Sequence, residues 1–329
     1  MATSSFSRVD EYGFERSSSF NIQVYDEFMS HYLKVLARRN KKWSDLVKSS
    51  QKLKKNSKLK RYVRKGIPSE HRRQFWMFIS GAQALRNDNP ELYTKLRQLS
   101  PKQSIVDTIK TDIPRTFPDN IFFNNSIELP EQLYNVLLAY AHHNTEVGYC
   151  QGLNYIVGLL LLATKSEETA FWLLKVLIEQ ILPKYYISTM SGLITDIEVL
   201  SQLVHTRDPE VDNHIQKLGV PWAVITTKWF VCLFAEVLPT ETVLRLWDCL
   251  FYEGSKVLFR VALTMIQTNR TEILKCKDLA ALITCFKGMV KDTYVVKCHD
   301  FMQDIFKKPG SLSNSLISNL RSQHGSKNS

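Results

Sequence analysis

One short segment holds an arginine between two prolines. Arg115 lies between Pro114 and Pro118, and Asp112 precedes it by three positions. Each proline restricts the residue before it to extended or turn backbone, so the loop is stiff and can hold a permanently charged guanidinium outward. The same arginine could instead form a local surface ion pair with Asp112, which stabilises a fold by only about 0–1 kcal/mol. The residues alone leave both interpretations open.

A second segment places amide side chains and glycines at the head of a strongly apolar run. Gln151 and Asn154 precede residues 156–162, and Gly148 and Gly152 lie beside them. Buried amides raise the free energy of the fold unless they are hydrogen bonded. Either both amides are satisfied inside the fold, or Gln151 lies at the exposed lip of a buried helix, where the glycines let another backbone approach. The sequence does not choose between them.

A third segment has the composition of a helix start. Gly66 and Pro68 suit a turn, with the proline at the first position of a helix. Arg72 and Trp76 are four residues apart and therefore lie on one face of that helix. The plainest interpretation is a helix N-terminus with a buried tryptophan as its anchor.

Signatures of self-contained catalysis are missing. The chain has no GxxxxGK[ST] phosphate loop, no GxSxG elbow, no HExxH motif and no kinase-type glycine loop, which disfavours a hydrolase or kinase that works alone. The cysteines are scattered without a CxxC pair, so we expect buried structural thiols and no metal site. These cysteines are Cys150, Cys232, Cys249, Cys276, Cys285 and Cys298.

The elements that carry these segments are predicted to be helices. Leu133, Val136, Leu137 and Tyr140 recur at the spacing of one helix face, whereas strand-like alternation is scarce. No repeat of fixed period is present, so a solenoid is disfavoured. We therefore predict an all-α fold with a single multi-helix domain.

The two ends of the chain differ in composition from the middle. Residues 1–33 are rich in serine and predict a loosely ordered arm, and residues 307–329 have few large apolar groups and predict a flexible tail. Between them, residues 34–63 predict a basic, helical lead-in, and residues 64–306 the domain itself.

Positive charge is concentrated near the N-terminal end. The net charge is +11, and residues 34–73 contain 16 Lys or Arg against two carboxylates. Such a run is usually a solvated face, but it could contact nucleic-acid phosphates or an anionic membrane. Only Trp43 and Tyr62 interleave as stacking aromatics, so we expect no nucleic-acid partner and keep peripheral membrane contact open.

The N-terminal residues lack the basic and apolar pattern of a signal peptide. The longest apolar stretch, residues 153–163, contains Asn154 and is shorter than the roughly 20 residues that a membrane span needs. We expect a cytoplasmic protein.

Together these segments resemble the TBC domain of Rab GTPase-activating proteins. The family patterns are R-x-G-I-P with a later R and W, then I-x-x-D-x-x-R-T, then Y-x-Q-G, and a closing L-P, W-D and G stretch. Four matches in this order are far more specific than any one of them. The matching residues here are Arg64, Gly66, Ile67, Pro68, Arg72, Trp76, Ile109, Asp112, Arg115, Thr116, Tyr149, Gln151, Gly152, Leu238, Pro239, Trp247, Asp248 and Gly254.

The resemblance implies a domain that binds a GTP-bound, Rab-type small GTPase and accelerates its GTP hydrolysis, as in vesicle trafficking. It implies that Arg115 is an arginine finger and Gln151 a glutamine finger, both supplied in trans, so the chain is not a stand-alone enzyme. No cofactor of its own is expected, because the partner binds GTP and Mg²⁺. The alternative is a Rab-binding effector or scaffold that catalyses nothing.

The remaining matched residues are expected to support those two. Around the fingers, the supporting residues are Asp112, Thr116, Tyr149, Gly152 and Asn154. The residues expected to hold the domain together are Gly66, Ile67, Pro68, Arg72, Trp76, Trp247 and Asp248.

Overall fold

The structure, a computed structural model, describes residues 9–16, 22–49 and 54–325. Within these residues the regular elements are helices, and the β contacts are two isolated bridges, Val9 with Glu15 and Phe14 with Asn120. The predicted all-α class is confirmed.

The first half of the described chain begins with one long helix, which shorter helices follow. They are α1 (Ile22–Ser49), α2 (Ser57–Lys65), α3 (Ser69–Ser80), α4 (Ala82–Asp88), α5 (Leu92–Arg97), α6 (Gln103–Asp112), a 3₁₀ turn (Ile113–Arg115), α7 (Ile121–Asn124), α8 (Glu128–His143), α9 (Leu153–Thr164) and α10 (Glu167–Val176), which a π-helical turn (Leu177–Ile181) extends.

The second half continues with helices joined by short connections. They are α11 (Ser191–Arg207), α12 (Pro209–Lys217), α13 (Trp222–Val231), α14 (Thr240–Glu253), α15 (Lys256–Thr268), α16 (Arg270–Lys275), α17 (Leu279–Met289), α18 (Thr293–Val296), α19 (Cys298–Lys307) and α20 (Asn314–Gly325). None of the helices in the described ranges is long and apolar enough to cross a bilayer.

Helix α9 forms the centre of the first half. All of its residues except Tyr155 and Ala163 are buried, as expected for a helix that is apolar on nearly every face. Helices α8 and α10 pack against it and against each other, and α3 contacts both α9 and α10. The N-terminus of α9 directly follows Gln151 and Gly152, so the central packing fixes where that polar turn can lie.

A buried carboxylate on α14 joins this layer to the turn before α3. Asp248 accepts hydrogen bonds from the backbone N–H of Ile67 and from Nε1 of Trp76, each at 2.8 Å, and Nε of Arg72 lies 3.4 Å away. The carboxylate is fully buried, so leaving it unpartnered would be strongly unfavourable. Arg72 and Trp76 of α3 thus contact Asp248 of α14. That these residues hold the domain together stays a prediction.

The neighbouring residues of the same motif pack around that carboxylate. Trp247 donates from Nε1 to the carbonyl of Leu233 at 3.0 Å, and its ring lies 6.2 Å from that of Trp76. Gly66 ends α2 with a φ of +101°, and Pro68 caps the start of α3.

The N-terminal arm is more ordered than the sequence predicted. Tyr12 is buried, because its hydroxyl accepts from Arg72 at 2.6 Å and its carbonyl accepts from Asn120 at 2.9 Å. Residues 22–33, which were expected to be loose, begin helix α1, and residues 34–49 complete it. One anchoring aromatic outweighs the polar composition around it. Residues 1–8, 17–21 and 50–53 of the predicted arm and lead-in lie outside the described residues.

The C-terminal segment also differs from the predicted flexible tail. Helix α20 packs on α11, with Ile317 buried between them. Arg321 donates two hydrogen bonds of 2.6 Å to the buried carboxylate of Asp196 and one of 2.8 Å to Ser255. An ion pair to a buried acid and the burial of Ile317 thus attach a stretch of low apolar content to the domain. Residues 326–329 of the predicted tail lie outside the described residues.

Replacement of Arg321 by alanine tests that attachment. We expect Arg321→Ala to lower the free energy of unfolding by about 1–3 kcal/mol, because Asp196 keeps its hydrogen bond from Tyr185 but loses its charged partner. Urea unfolding of the variant measures this change. Asn319→Ala is the matched control, because Asn319 is exposed on the same helix. Equal stability of both variants would contradict the role assigned to the ion pair.

Candidate functional site

Arg115 ends a 3₁₀ turn that continues directly from helix α6. Asp112, the last residue of α6, is buried, whereas the side chain of Arg115 is 51% exposed. Nη2 of Arg115 donates to Oδ1 of Asp112. The guanidinium is therefore paired with Asp112 and also accessible to solvent. Both interpretations that the sequence left open are correct.

Phe117 fixes the loop that carries Arg115. Its backbone has a φ of +51°, an unusual value for a residue with a side chain, and its buried ring packs edge-on against three other rings. The ring centroids lie 5.0 Å from that of Phe14, 5.8 Å from Phe123 and 5.4 Å from Tyr155. Sequence reasoning missed this anchor, although an aromatic residue directly before Pro118 was a usable signal.

Gln151 lies in the turn between α8 and α9, and its side chain is exposed. In the part of the chain that the structure describes, its side-chain amide has no hydrogen-bond partner. Gly152 has a φ of +109°, and a Cβ there would lie 3.3 Å from both Cγ2 and the carbonyl oxygen of Val231. The turn thus needs a glycine for its backbone conformation and for the close approach of α13. Of the two interpretations, the structure favours Gln151 at an exposed lip.

Asn154, by contrast, is satisfied inside the fold. Its Oδ1 accepts from the backbone N–H of Gly152 at 3.1 Å, and its Nδ2 donates to Oγ1 of Thr116 at 2.9 Å. Thr116 in turn donates to the carbonyl of Asp112 at 2.8 Å. Buried polar groups linked in this way rigidify the segments that they join.

Three hydrogen bonds therefore tie the Arg115 loop to the Gln151 turn. Besides the bond from Asn154 to Thr116, Tyr149 donates from its hydroxyl to Oδ2 of Asp112, and Tyr155 donates to the carbonyl of Arg115 at 3.2 Å. We call this set of hydrogen bonds the frame. Asp112, Thr116, Tyr149 and Asn154 belong to it, and Gly152 is bonded to Asn154 within its own turn. That these residues support the two fingers stays a prediction. Tyr155 belongs to the frame as well and was not predicted.

The phenol of Tyr149 and the thiol of Cys150, which lie beside Arg115 and Gln151, stay protonated at neutral pH. Burial, and then the Asp112 carboxylate, raise the pKa of the Tyr149 phenol well above its usual range. Burial, followed by Asp112, also raises the pKa of the Cys150 thiol. Neither group is a nucleophile or a general base there. What the site can offer is a cation and a neutral amide, carried by two backbone segments that hydrogen bonds join.

Substitution of Asp112 tests whether the frame depends on its carboxylate. We expect Asp112→Asn to lower the free energy of unfolding by about 1–3 kcal/mol, since an amide would turn an N–H₂ group toward either Arg115 or Tyr149, both of which are donors. Chemical denaturation measures this loss. Asp107→Asn, at an exposed position on the same helix, is the control and should change stability by about 0.5 kcal/mol or less. A loss no larger than that of the control would mean that the frame does not need the charge.

Comparisons with known proteins agree on one family. The sequence model of the Rab-GTPase-TBC domain matches residues 69–274, which lie within the predicted domain of residues 64–306. Growth hormone-regulated TBC protein 1-A of Danio rerio is 50% identical over 315 residues, which cover 95% of this chain and 88% of that protein. Growth hormone-regulated TBC protein 1 of Homo sapiens is 49% identical over 316 residues, covering 95% and 94% of the two chains.

A solved structure gives the same result in three dimensions. The crystal structure of the Chlamydomonas flagellar RabGAP TBC domain superposes with a TM-score of 0.80 and 34% sequence identity, over 91% of this chain and 99% of that one. The helical fold is thereby shared with a known TBC domain. This chain is a member of the Rab-GTPase-TBC domain family of Rab GTPase activators.

Proposed function

We propose that this protein accelerates GTP hydrolysis by a Rab-type GTPase in its GTP-bound state, with Arg115 as an arginine finger and Gln151 as a glutamine finger. The observation that carries the proposal is the pairing of two exposed side chains on one buried frame. Arg115 and Gln151 come from different connections, yet Tyr149 and Asn154 bind the second connection to Asp112 and Thr116 of the first. Two residues held in this way can reach one partner together.

The arginine suits the charge that develops on a transferring phosphoryl group. Phosphoryl transfer needs little covalent work from protein, so catalysis depends mainly on electrostatic stabilisation and positioning. Arg115 uses Nη2 for Asp112, and among the described residues Nε and Nη1 have no partner, so both can donate to phosphate oxygens. Asp112 is then a positioning residue, because it orients the guanidinium without touching the nucleotide.

The glutamine suits the placement of the attacking water. Its amide accepts a hydrogen bond through the oxygen and donates through the nitrogen, so one side chain can hold the water and contact the partner. An exposed Gln151 enters a partner's site without first breaking an internal hydrogen bond. Its position directly before the buried helix α9 limits how far it can move.

In this proposal the chain acts only in trans. GTP and Mg²⁺ are bound by the GTPase, and the activator supplies neither a nucleophile nor a cofactor. The protonated states of Tyr149 and Cys150 agree with that division of roles. Such a protein regulates the lifetime of active Rab and thereby vesicle trafficking.

The location forms part of the same proposal. We place the protein in the cytoplasm, with peripheral contact to anionic membrane through the basic residues of 34–73. Exposed lysines of this stretch, such as Lys34, Lys41 and Lys48, lie on α1. Each basic residue near such a surface contributes about 1 kcal/mol. Salt-sensitive sedimentation with anionic vesicles is expected, and equal sedimentation with neutral vesicles would contradict the membrane contact.

Single-turnover GTP hydrolysis by a responsive Rab, chosen from a purified panel, tests the two fingers. We expect Arg115→Ala to remove a factor of about 10³–10⁵ in rate while Rab·GTP binding is retained, because the finger acts on the transition state. Arg115→Lys should recover little, since the planar fork is lost although the charge remains. Lys110→Ala on α6 is the matched control and should leave stimulation unchanged. A protein that binds Rab·GTP without accelerating hydrolysis would support the effector alternative instead.

The same hydrolysis measurement tests the glutamine separately. Gln151→Ala should be severely slow, whereas Gln103→Ala, an exposed glutamine elsewhere, should not. If Gln151 replaces the glutamine of the GTPase, a Rab without its own glutamine should still respond to the unmutated protein. A fully active Gln151→Ala variant, together with a Rab that stops responding when its own glutamine is removed, would show that only the arginine is delivered.

A further inference from the structure

One face of helix α13 points away from the core. Val224, Thr227, Lys228 and Val231 follow one another at the i, i+3, i+4 and i+7 spacing of a single helix face. Val224 is 57% exposed and the side chain of Lys228 is 59% exposed, whereas Thr227 and Val231 are half-buried. We call these four residues the outer stripe.

The opposite face of α13 is fixed in the core. Nε1 of Trp222 donates to Oδ1 of Asp212 at 3.0 Å, and the ring of Trp229 stacks on that of Phe286 with the centroids 5.4 Å apart. Close-packed interiors of this kind resist displacement, so the outer stripe is a rigid surface. The buried residues of the helix are Trp222, Ile225, Thr226, Trp229 and Phe230.

The C-terminal end of the outer stripe lies against the turn that carries Gln151. A Cβ on Gly152 would lie 3.3 Å from Cγ2 and from the carbonyl oxygen of Val231, and 3.5 Å from Sγ of Cys232. Gly152 directly follows Gln151 in the chain. The outer stripe therefore begins beside the proposed glutamine finger and extends along α13 to Val224, which is about 10 Å further along the helix axis.

The middle of the outer stripe is linked to the Arg115 loop. Nζ of Lys228 lies 2.6 Å from Oε1 of Glu236. Burial, and then the nearby charge of Glu236, raise the pKa of the Tyr155 phenol to about 12. Tyr155 in turn donates to the carbonyl of Arg115 at 3.2 Å. Two side chains, Glu236 and Tyr155, thus connect an exposed cation on α13 to the loop of the proposed arginine finger.

The chemistry of the outer stripe is apolar and cationic. Helix α13 contains no aspartate or glutamate. An exposed ion pair such as that of Lys228 with Glu236 contributes little to stability, so Lys228 can bind a carboxylate of a partner with little loss to the fold. A single exposed valine is normal on a protein surface. Val224, however, lies one turn from an exposed cation on a rigid helix that leads to Gln151, and an apolar centre with a charged rim is typical of an interface.

We propose that the outer stripe is a docking surface for the GTP-bound Rab, with Val224 packed against an apolar side chain of the GTPase and Lys228 bound to one of its carboxylates. The proposal rests on the proposed function for the identity of the partner. A GTPase that receives Arg115 and Gln151 must cover the surface around them, and the outer stripe is continuous with that surface. These contacts are made before and during hydrolysis alike, so they determine which Rab binds rather than how fast bound GTP is cleaved.

Single-turnover hydrolysis of Rab·GTP at increasing concentrations of the full-length activator tests the docking surface. Val224→Asp and Lys228→Glu should each raise the half-saturating concentration by about tenfold or more, because one variant places a charge in an apolar contact and the other turns an attraction into a repulsion. The maximal rate should stay within about twofold, since Arg115 and Gln151 are unchanged. An unchanged half-saturating concentration, or a maximal rate that falls as in Arg115→Ala, would overturn the docking role.

Two matched controls lie on other helices. Leu33→Asp replaces an apolar residue of α1 that is also 57% exposed. Lys275→Glu reverses a lysine of α16 that is 65% exposed and pairs with Glu272. Substitutions at such exposed positions leave the fold largely intact, and both controls should keep the half-saturating concentration within about twofold. Weakening equal to that of the outer-stripe variants would overturn the assignment, because any change of surface charge would then have the same effect.

A charge exchange separates docking from the internal ion pair. The double variant Lys228→Glu with Glu236→Lys restores an ion pair between the two positions but leaves the more exposed one negative. We expect it to have at least as high a half-saturating concentration as Lys228→Glu alone. Recovery of the unmutated value would overturn the role of Lys228, because the lysine would then serve Glu236 only.

Direct binding distinguishes this proposal from the proposed function. A Rab loaded with a non-hydrolysable GTP analogue should bind the unmutated protein and Arg115→Ala equally well, and should bind Val224→Asp and Lys228→Glu about tenfold or more weakly. Weaker binding of the two outer-stripe variants, without any acceleration of hydrolysis by the unmutated protein, would contradict the fingers and support the docking surface. Undiminished binding of both variants would overturn the docking surface and leave the fingers intact.

Discussion

The candidate catalytic site depends on a carboxylate that is buried and must be bonded. Asp112 lies where α6 ends, and the donors that satisfy it are the guanidinium of Arg115 and the hydroxyl of Tyr149. Because a buried charge without partners is strongly unfavourable, the segments that supply those donors cannot move apart freely. One constraint thereby sets the relative position of an arginine and a glutamine that come from different connections.

The same principle holds more distant parts of the fold together. Asp248 brings the turn before α3 onto α14, and Asp196 brings α20 onto α11. In each case an acid in the interior is bonded by donors far away in sequence.

The features that could be predicted from the sequence are those that depend on residues close together in the chain. Periodic apolar residues such as Leu133 and Val136 indicated the helical class. The prolines around Arg115 singled out one segment, and the amides and glycines ahead of an apolar run singled out that of Gln151. The order of Tyr12 and of α20 was missed, because each depends on long-range contacts that composition does not record. For the same reason the sequence could not place Phe117 against Tyr155.

A structure of the complex with a Rab bound to GDP and aluminium fluoride would test the central claim most directly. In that mimic of the transferring phosphoryl group, we predict that the Arg115 guanidinium and the Gln151 amide both lie within about 3 Å of the fluoride or of the in-line water. The hydrogen bonds from Tyr149 to Asp112 and from Asn154 to Thr116 should persist. A complex in which Gln151 faces away and the Rab's own glutamine holds the water would contradict the account.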